Sequence, residues 1–148
     1  MLTPFLEFVE TEKAEAEHHA KDFFSKNIDI PRKEMPQIKG ACYDDFKAWL
    51  GTQGIKYDEK FITPKFLYAS QKHLNIEKVI AIIRGKKYLD KNGKPVISTK
   101  DGYVLDGHHR VLAARTKNAQ IKTLCVEIPI ESALETITQY PKVEYHHD

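Results

Sequence analysis

The chain has 148 residues, a net charge of +2 and 41% hydrophobic residues, the size and make-up of one compact globular domain able to bury a core. Near-balanced charge gives no general electrostatic reason to expect a dedicated nucleic-acid binder. No apolar run approaches the length of a membrane span and no basic-then-apolar leader opens the sequence, so a cytoplasmic protein with no membrane partner is expected.

In chain order, residues 4–26 read as one long amphipathic helix. Thr3 can cap it, Pro4 suits its first position, and Glu7 and Glu10 favour its positive end. Phe5, Val9, Ala16, Ala20, Phe23 and Phe24 recur at helical spacing and give it an inward face. His18 and His19 are adjacent, so they point in different directions and make a poor metal pair; they are expected at the surface. Residues 28–38 carry two prolines, Pro31 and Pro36, and should run as an extended arm that satisfies its backbone groups against its surroundings. Its polar members are Arg32 and Gln37. Arg32 either forks onto a phosphate or pairs with an acidic helix, and both readings stay open.

Tyr43–Leu50 places Phe46, Trp49 and Leu50 at helical spacing, with Gly51 or Gly54 as its stop. Ile55-Lys56-Tyr57 is a short strand candidate, and Phe61–Ala69 is apolar but interrupted by Pro64. Asn75 can cap a helix to Arg84 that turns Ile76, Val79, Ile80 and Ile83 inward and ends at Gly85. Lys86–Lys94 reads as a polar loop. Pro95–Ser98 and Tyr103–Asp106 form a hairpin turned through Lys100-Asp101-Gly102. After a helix ending near Asn118, Ile121–Ile128 is a core strand and Ile130–Gln139 a last helix; His146-His147 belong to a frayed tail. Cys42 and Cys125 are the only cysteines, far apart, and are expected as buried reduced thiols. Strands interleaved with helices give an α/β (α+β) class, with a small mixed sheet flanked by helices. The organisation expected is an N-terminal helical extension and arm (1–54), a core (55–130) and a C-terminal helix and tail (131–148), all one domain.

The densest chemistry lies at Asp106-Gly107-His108-His109-Arg110, where a strand runs straight into a helix. The three side chains after the glycine fall in the first helical turn, where backbone N–H groups lack intrahelical partners and the dipole is positive. Donors and cations gathered there point to an anion, with a phosphate the first choice, and Gly107 lets it approach the backbone.

Asp106–Arg110 followed by Ala113 resembles the signature of the ParB/sulfiredoxin-like superfamily, in its DGHHR-bearing ParB-like branch. The likeness extends through Pro95–Ser98 and Asp101–Tyr103, back to Ser70-Gln71 and the Asn75–Arg84 helix, and on to Ile121–Ile128. The resemblance implies a nucleotide phosphate held by Gly107, His108, His109 and Arg110, with Gln71, Ser98 and Arg32 beside them. The run Ile30-Pro31-Arg32 to Met35-Pro36-Gln37-Ile38 is similar to an accessory segment of bacteriophage members, which implies a phage origin.

Three functions follow as expectations. The first is an ATP- or ADP-using phosphotransferase or nucleotide hydrolase, similar to the branch's free serine kinases. His108 and His109 would be catalytic, Asp106 would bind Mg²⁺ or orient a histidine, and a small hydroxyl compound would accept the phosphoryl group. Ser70-Gln71-Lys72-His73 lacks the acidic pair those kinases use as base, which leaves Glu34, Asp44, Asp45 or Glu77 as replacements. The second is a metal-dependent nuclease in which Lys86, Lys87, Lys91 and Lys94 track nucleic acid. The third is a non-catalytic module that binds nucleotide, or a protein partner through its N-terminal helix, where exposed Phe residues would mark the surface. A partition clamp is excluded because no recognition helix follows and His108 replaces the glutamate of the GERR-type motif. Sulfiredoxin chemistry is excluded because His108 stands in place of the reactive cysteine.

Overall fold

A computed structural model describes residues 4–71, 73–89 and 94–145, with side chains from residue 10 onward. Five helices and four strands follow in the order α1 (Pro4–Phe23), α2 (Tyr43–Thr52), β1 (Tyr57–Ile62), α3 (Ile76–Gly85), β2 (Val96–Thr99), β3 (Val104–Asp106), α4 (His108–Thr116), β4 (Ile121–Val126) and α5 (Ile130–Ile137). The strands form one mixed sheet in the order β1-β4-β2-β3. The pairs β1–β4 and β2–β3 are antiparallel, whereas β2 and β4 are parallel and are connected through the hairpin and α4. The mixed α/β class expected from the sequence is the one found. No helix among the described residues is long and apolar enough to cross a membrane.

Strand alternation sends successive side chains to opposite faces, and this sorts the core. Val96, Val104 and Ile121 pack with Ala16 and Phe23 of α1, Val79, Ile80 and Ile83 of α3, and Val111–Ala114 of α4. Ile97, Leu105, Leu124 and Val126 pack on the other face with Phe46 and Leu50 of α2, Ile130, Ala133 and Ile137 of α5, and Met35 and Ile38 of the arm. Each fully buried Leu, Ile or Phe contributes roughly 1.5–3 kcal/mol of apolar transfer. The N-terminal helices are thus built into both layers.

Several local expectations shift. The first helix stops at Phe23 rather than residue 26, while Phe23 and Phe24 pack inward as their spacing predicts. The cap proposed for Thr3 and the inward side chains of Phe5 and Val9 lie outside what is described, as do Lys72, Lys91 and the His146-His147 pair. Glu12 is buried, unlike the apolar inward face expected, and Lys117 at the end of α4 donates to it at 3.1 Å. The first strand lies at Tyr57–Ile62, later than Ile55–Tyr57, because pairing with β4 and not its own weakly apolar sequence defines it. Helix α3 is capped by Asn75, whose side chain accepts from the Lys78 N–H, but Gly85 stays helical and Lys86 takes the left-handed turn at φ 52°. The hairpin forms as expected. Asp101 in its turn does more: its carboxylate accepts from the Ile130 N–H at 3.0 Å and so caps α5. Cys42 and Cys125 are free thiols, half-buried rather than buried.

The arm is extended apart from Asp29, at φ 56°, and a 3₁₀ turn at Arg32–Glu34. Its backbone groups are met as the prolines require. The Ile30 N–H donates to Ser70 O at 2.9 Å, and Gln37 exchanges backbone bonds with Glu144 at 2.8 and 2.9 Å.

Candidate functional site

One end of the sheet gathers the starts of β2 and β4 with the end of β3, because β2 is parallel to β4 and antiparallel to β3. The turn from β3 into α4 sits at that end. Gly107 makes it with φ 102°, and a Cβ there would stand 2.6 Å from Val96 Cγ1. Only glycine meets both demands. Its lack of a side chain also leaves α4 without a side-chain cap.

Asp106 is drawn inward. Its Oδ2 accepts from the Ile38 N–H at 3.0 Å and from Lys94 Nζ at 2.6 Å, fastening both the arm and the segment before β2 to the end of β3. The expectation that Asp106 serves as a metal ligand or catalytic carboxylate meets this arrangement badly, because a cation already occupies the oxygen. Among the described residues no group of three or more His, Cys, Asp or Glu side chains could hold a metal ion. The donor set does not fit Mg²⁺, which seeks carboxylate oxygens free of competing ammonium groups.

His108 is likewise placed differently from the expectation of a phosphate-facing catalytic group. It is 3% exposed. Its Nε2 accepts from the backbone N–H of Ser70 at 3.1 Å and of Gln71 at 3.2 Å, and the Ser70 hydroxyl lies 3.3 Å away. Burial, with a smaller contribution from neighbouring His109, pushes its pKa down to about 3. The ring is therefore neutral, with its proton on Nδ1, and latches the 70–71 turn onto α4. The Ser70 hydroxyl reinforces the latch by donating to Val104 O at 2.5 Å. His109 is half-exposed, and its Nε2 accepts from the Asn75 N–H at 3.1 Å, tying α4 to the start of α3.

Gln71 joins the same turn. Its side chain donates to His73 O at 2.6 Å and its carbonyl accepts from Asn27 at 2.8 Å. Ser98 lies apart from the motif: it is buried in the sheet, where its hydroxyl pairs with that of Thr123 at 2.6 Å. The expected phosphate contact at Ser98 is corrected accordingly, since β2 turns that residue against β4. Arg32 is half-buried in the arm, between Ile30, which bridges to Gln71, and Ile38, which bonds to Asp106.

Arg110 faces the other way from His108. Its guanidinium donates to the carbonyl of Lys94 and, at 3.4 Å, to that of Pro95. It thereby borders a pocket of about 440 Å³. Among the described residues, the cations around this pocket are Lys87, Lys94, Arg110 and Lys122, the rings are Phe61 and Tyr88, and no acidic residue lines it. The motif and the pocket share Arg110 directly and Asp106 through Lys94.

Sequence reasoning missed most of this lining. Lys87 and Lys94 stand in the sequence as members of a polar loop, and only the fold brings them to the same pocket as Arg110. Tyr88 and Lys122 carry no local signal. Phe61 is 52% exposed at the end of a charged strand, and an aromatic ring in such company is the one irregularity visible in the sequence. Tyr43 also escaped notice: its hydroxyl is buried without a hydrogen-bond partner among the described residues, and burial, then the nearby charges of Glu59 and Asp106, push its pKa up. Comparison with known protein families, curated proteins and solved structures found no match.

Proposed function

We propose that this protein binds a nucleotide or a related phosphate ester in the pocket beside Arg110. The observation that carries the reading is the lining: among the described residues it has four cations, of which Lys94 is paired with Asp106, and two aromatic rings, with no acidic side chain. Lysine ammonium groups and the Arg110 fork are suited to phosphate oxygens, and Phe61 and Tyr88 offer flat apolar surface to a base or other ring. The uncapped start of α4 adds a positive dipole end nearby. ATP or ADP comes first among candidates because Asp106–Arg110 resembles the DGHHR motif of the ParB/sulfiredoxin-like superfamily.

Binding leads over catalysis in this reading. Phosphoryl transfer to a small hydroxyl compound or to water needs a group that takes a proton at the reacting oxygen. The described lining supplies neither a carboxylate nor a histidine, Asp106 is held by Lys94, and His108 is buried. Transferase or hydrolase activity thus rests on the motif's resemblance. A nuclease reading rests on the same resemblance and has, among the described residues, no metal-binding cluster to add.

The test is thermal unfolding with ATP, ADP, AMP, inorganic phosphate and a short single-stranded DNA, on the wild type and on Lys87→Ala/Lys122→Ala. A ligand at about a hundred times its Kd stabilises the native state by about 2.7 kcal/mol, which raises the melting point by roughly 5–10 °C in a protein of this size. Nucleotide should give this shift in the wild type and lose most of it in the double variant, with DNA shifting little. No shift with any phosphate compound, or one that ignores the loss of both lysines, rejects the pocket.

A further inference from the structure

Strand β1 is the edge of the sheet, paired to β4 along one side. The other edge, β3, is covered, since Tyr68 exchanges backbone bonds with Gly102 and Val104. No described strand pairs with the outer side of β1, and of the usual protections of an open edge β1 lacks proline and a bulge, its register with β4 running one to one over all six residues. Charge is its only guard, in Asp58, Glu59 and Lys60.

The backbone fixes which groups the edge offers. The Glu127 N–H donates to Lys56 O at 2.9 Å, so residue 56 and its even-numbered successors in β1 point their backbone groups toward β4. Tyr57, Glu59 and Phe61 therefore point theirs outward, since the direction alternates along a strand. A second antiparallel strand must meet those three. We propose that the partner is a second copy of this chain, pairing β1 with β1 about a twofold axis at Glu59 and joining two sheets into one.

This register follows from geometry, and the side chains suit it. A twofold axis normal to the sheet keeps each residue on its own face, which allows only odd-with-odd and even-with-even pairs. Centring on Glu59 is the register that engages all three outward residues of the strand: Tyr57 stands opposite Phe61 of the second copy, and Asp58 opposite its Lys60, each occurring twice. Tyr57 and Phe61 are 40% and 52% exposed, and each would cover the other as a cross-strand aromatic pair. Asp58 and Lys60 lie 3.9 Å apart within one strand and would form an alternating four-charge cluster across the axis. The like charges of Glu59 on the axis are moderated, because Lys47 holds each Glu59 carboxylate at 3.0 Å. The strand is thus complementary to its own reverse in charge and in ring placement. Phe61 also lines the pocket beside Arg110, so Tyr57 of the second copy would sit at the pocket's rim.

Sedimentation equilibrium on the full chain tests this independently of any ligand, and the result expected of the wild type is a monomer–dimer equilibrium. Lys60→Asp sets acid against acid at each of the two charged pairs, and Asp58→Lys sets base against base. Each substitution lies on an exposed side chain, should leave the circular dichroism spectrum unchanged, and should weaken self-association roughly tenfold or more. Mixing the two variants restores opposite charges across the axis and should return a dimer, now a heterodimer. A wild type that stays monomeric at every loading concentration overturns the proposal and leaves the edge to some other strand. A dimer indifferent to either substitution, or a mixture that does not reassociate, overturns it as well.

Discussion

Replacing His108 tests whether the most conspicuous residue of the motif is a structural latch. In His108→Ala the Ser70 and Gln71 N–H groups, both bonded to Nε2, lose their acceptor in a site closed to water. Each buried donor left unmet costs about 1–3 kcal/mol, and the vacated ring volume beneath Phe23 adds a cavity cost. The sum is roughly 3–6 kcal/mol, a large part of the 5–15 kcal/mol typical of a folded domain. His108→Gln, which restores a side-chain acceptor, should lose less. The pH dependence supplies a second reading. The folded pKa of His108, about 3, lies below its ordinary value of 6.5, so at low pH the unfolded chain binds a proton that the folded chain refuses. Its contribution is present above pH 6.5 and is lost as pH falls toward 3, at about 1.4 kcal/mol per unit. Urea denaturation of the wild type and His108→Gln from neutral pH downward should show the difference between their stabilities shrinking by that slope. Parallel curves, or a His108→Ala loss under about 1 kcal/mol, would refute the latch.

Two other substitutions separate the roles at the same turn. Gly107→Ala must hold a φ of 102° and drive a Cβ to 2.6 Å from Val96 Cγ1, so urea denaturation should show a loss of roughly 2–4 kcal/mol, only partly recovered by adding Val96→Ala. Asp106→Asn keeps an oxygen for the Ile38 N–H but removes the charge opposite Lys94, so stability should fall by roughly 1–3 kcal/mol while calorimetric affinity for inorganic phosphate or ADP rises; weaker binding would show that the carboxylate itself serves the ligand.

The parts of the fold that were legible in the sequence are those decided locally. The hairpin through Asp101-Gly102, the Asn75 cap and the abrupt passage from β3 into α4 each depend on a few neighbouring residues whose backbone preferences agree. What was hidden depends on distant partners. Nothing near Glu12 announces that Lys117 will meet it, and nothing near Ser98 announces Thr123. Strand β1 was read too early because its own residues are mostly exposed and charged, and only β4 makes it a strand.

The motif shows why residue type alone misled about role. Two histidines and an aspartate beside a helix start suggest chemistry because each can carry a proton or bind an ion. Yet the same groups are the side chains best able to satisfy buried backbone donors. Three elements converge on this turn, and each brings N–H groups that its own element cannot satisfy: Ile38 from the arm, Ser70 and Gln71 from the turn before α3, and Asn75 at the start of α3 itself. Asp106, His108 and His109 accept from all of them. A ligand competing for those oxygen and nitrogen atoms would have to release that backbone. Arg110 and Lys94 differ, because their bonds to carbonyl and carboxylate oxygens leave cationic groups bordering an open pocket. Division of labour within one short motif follows: acceptors hold the fold together, and donors border the pocket where an anion would bind.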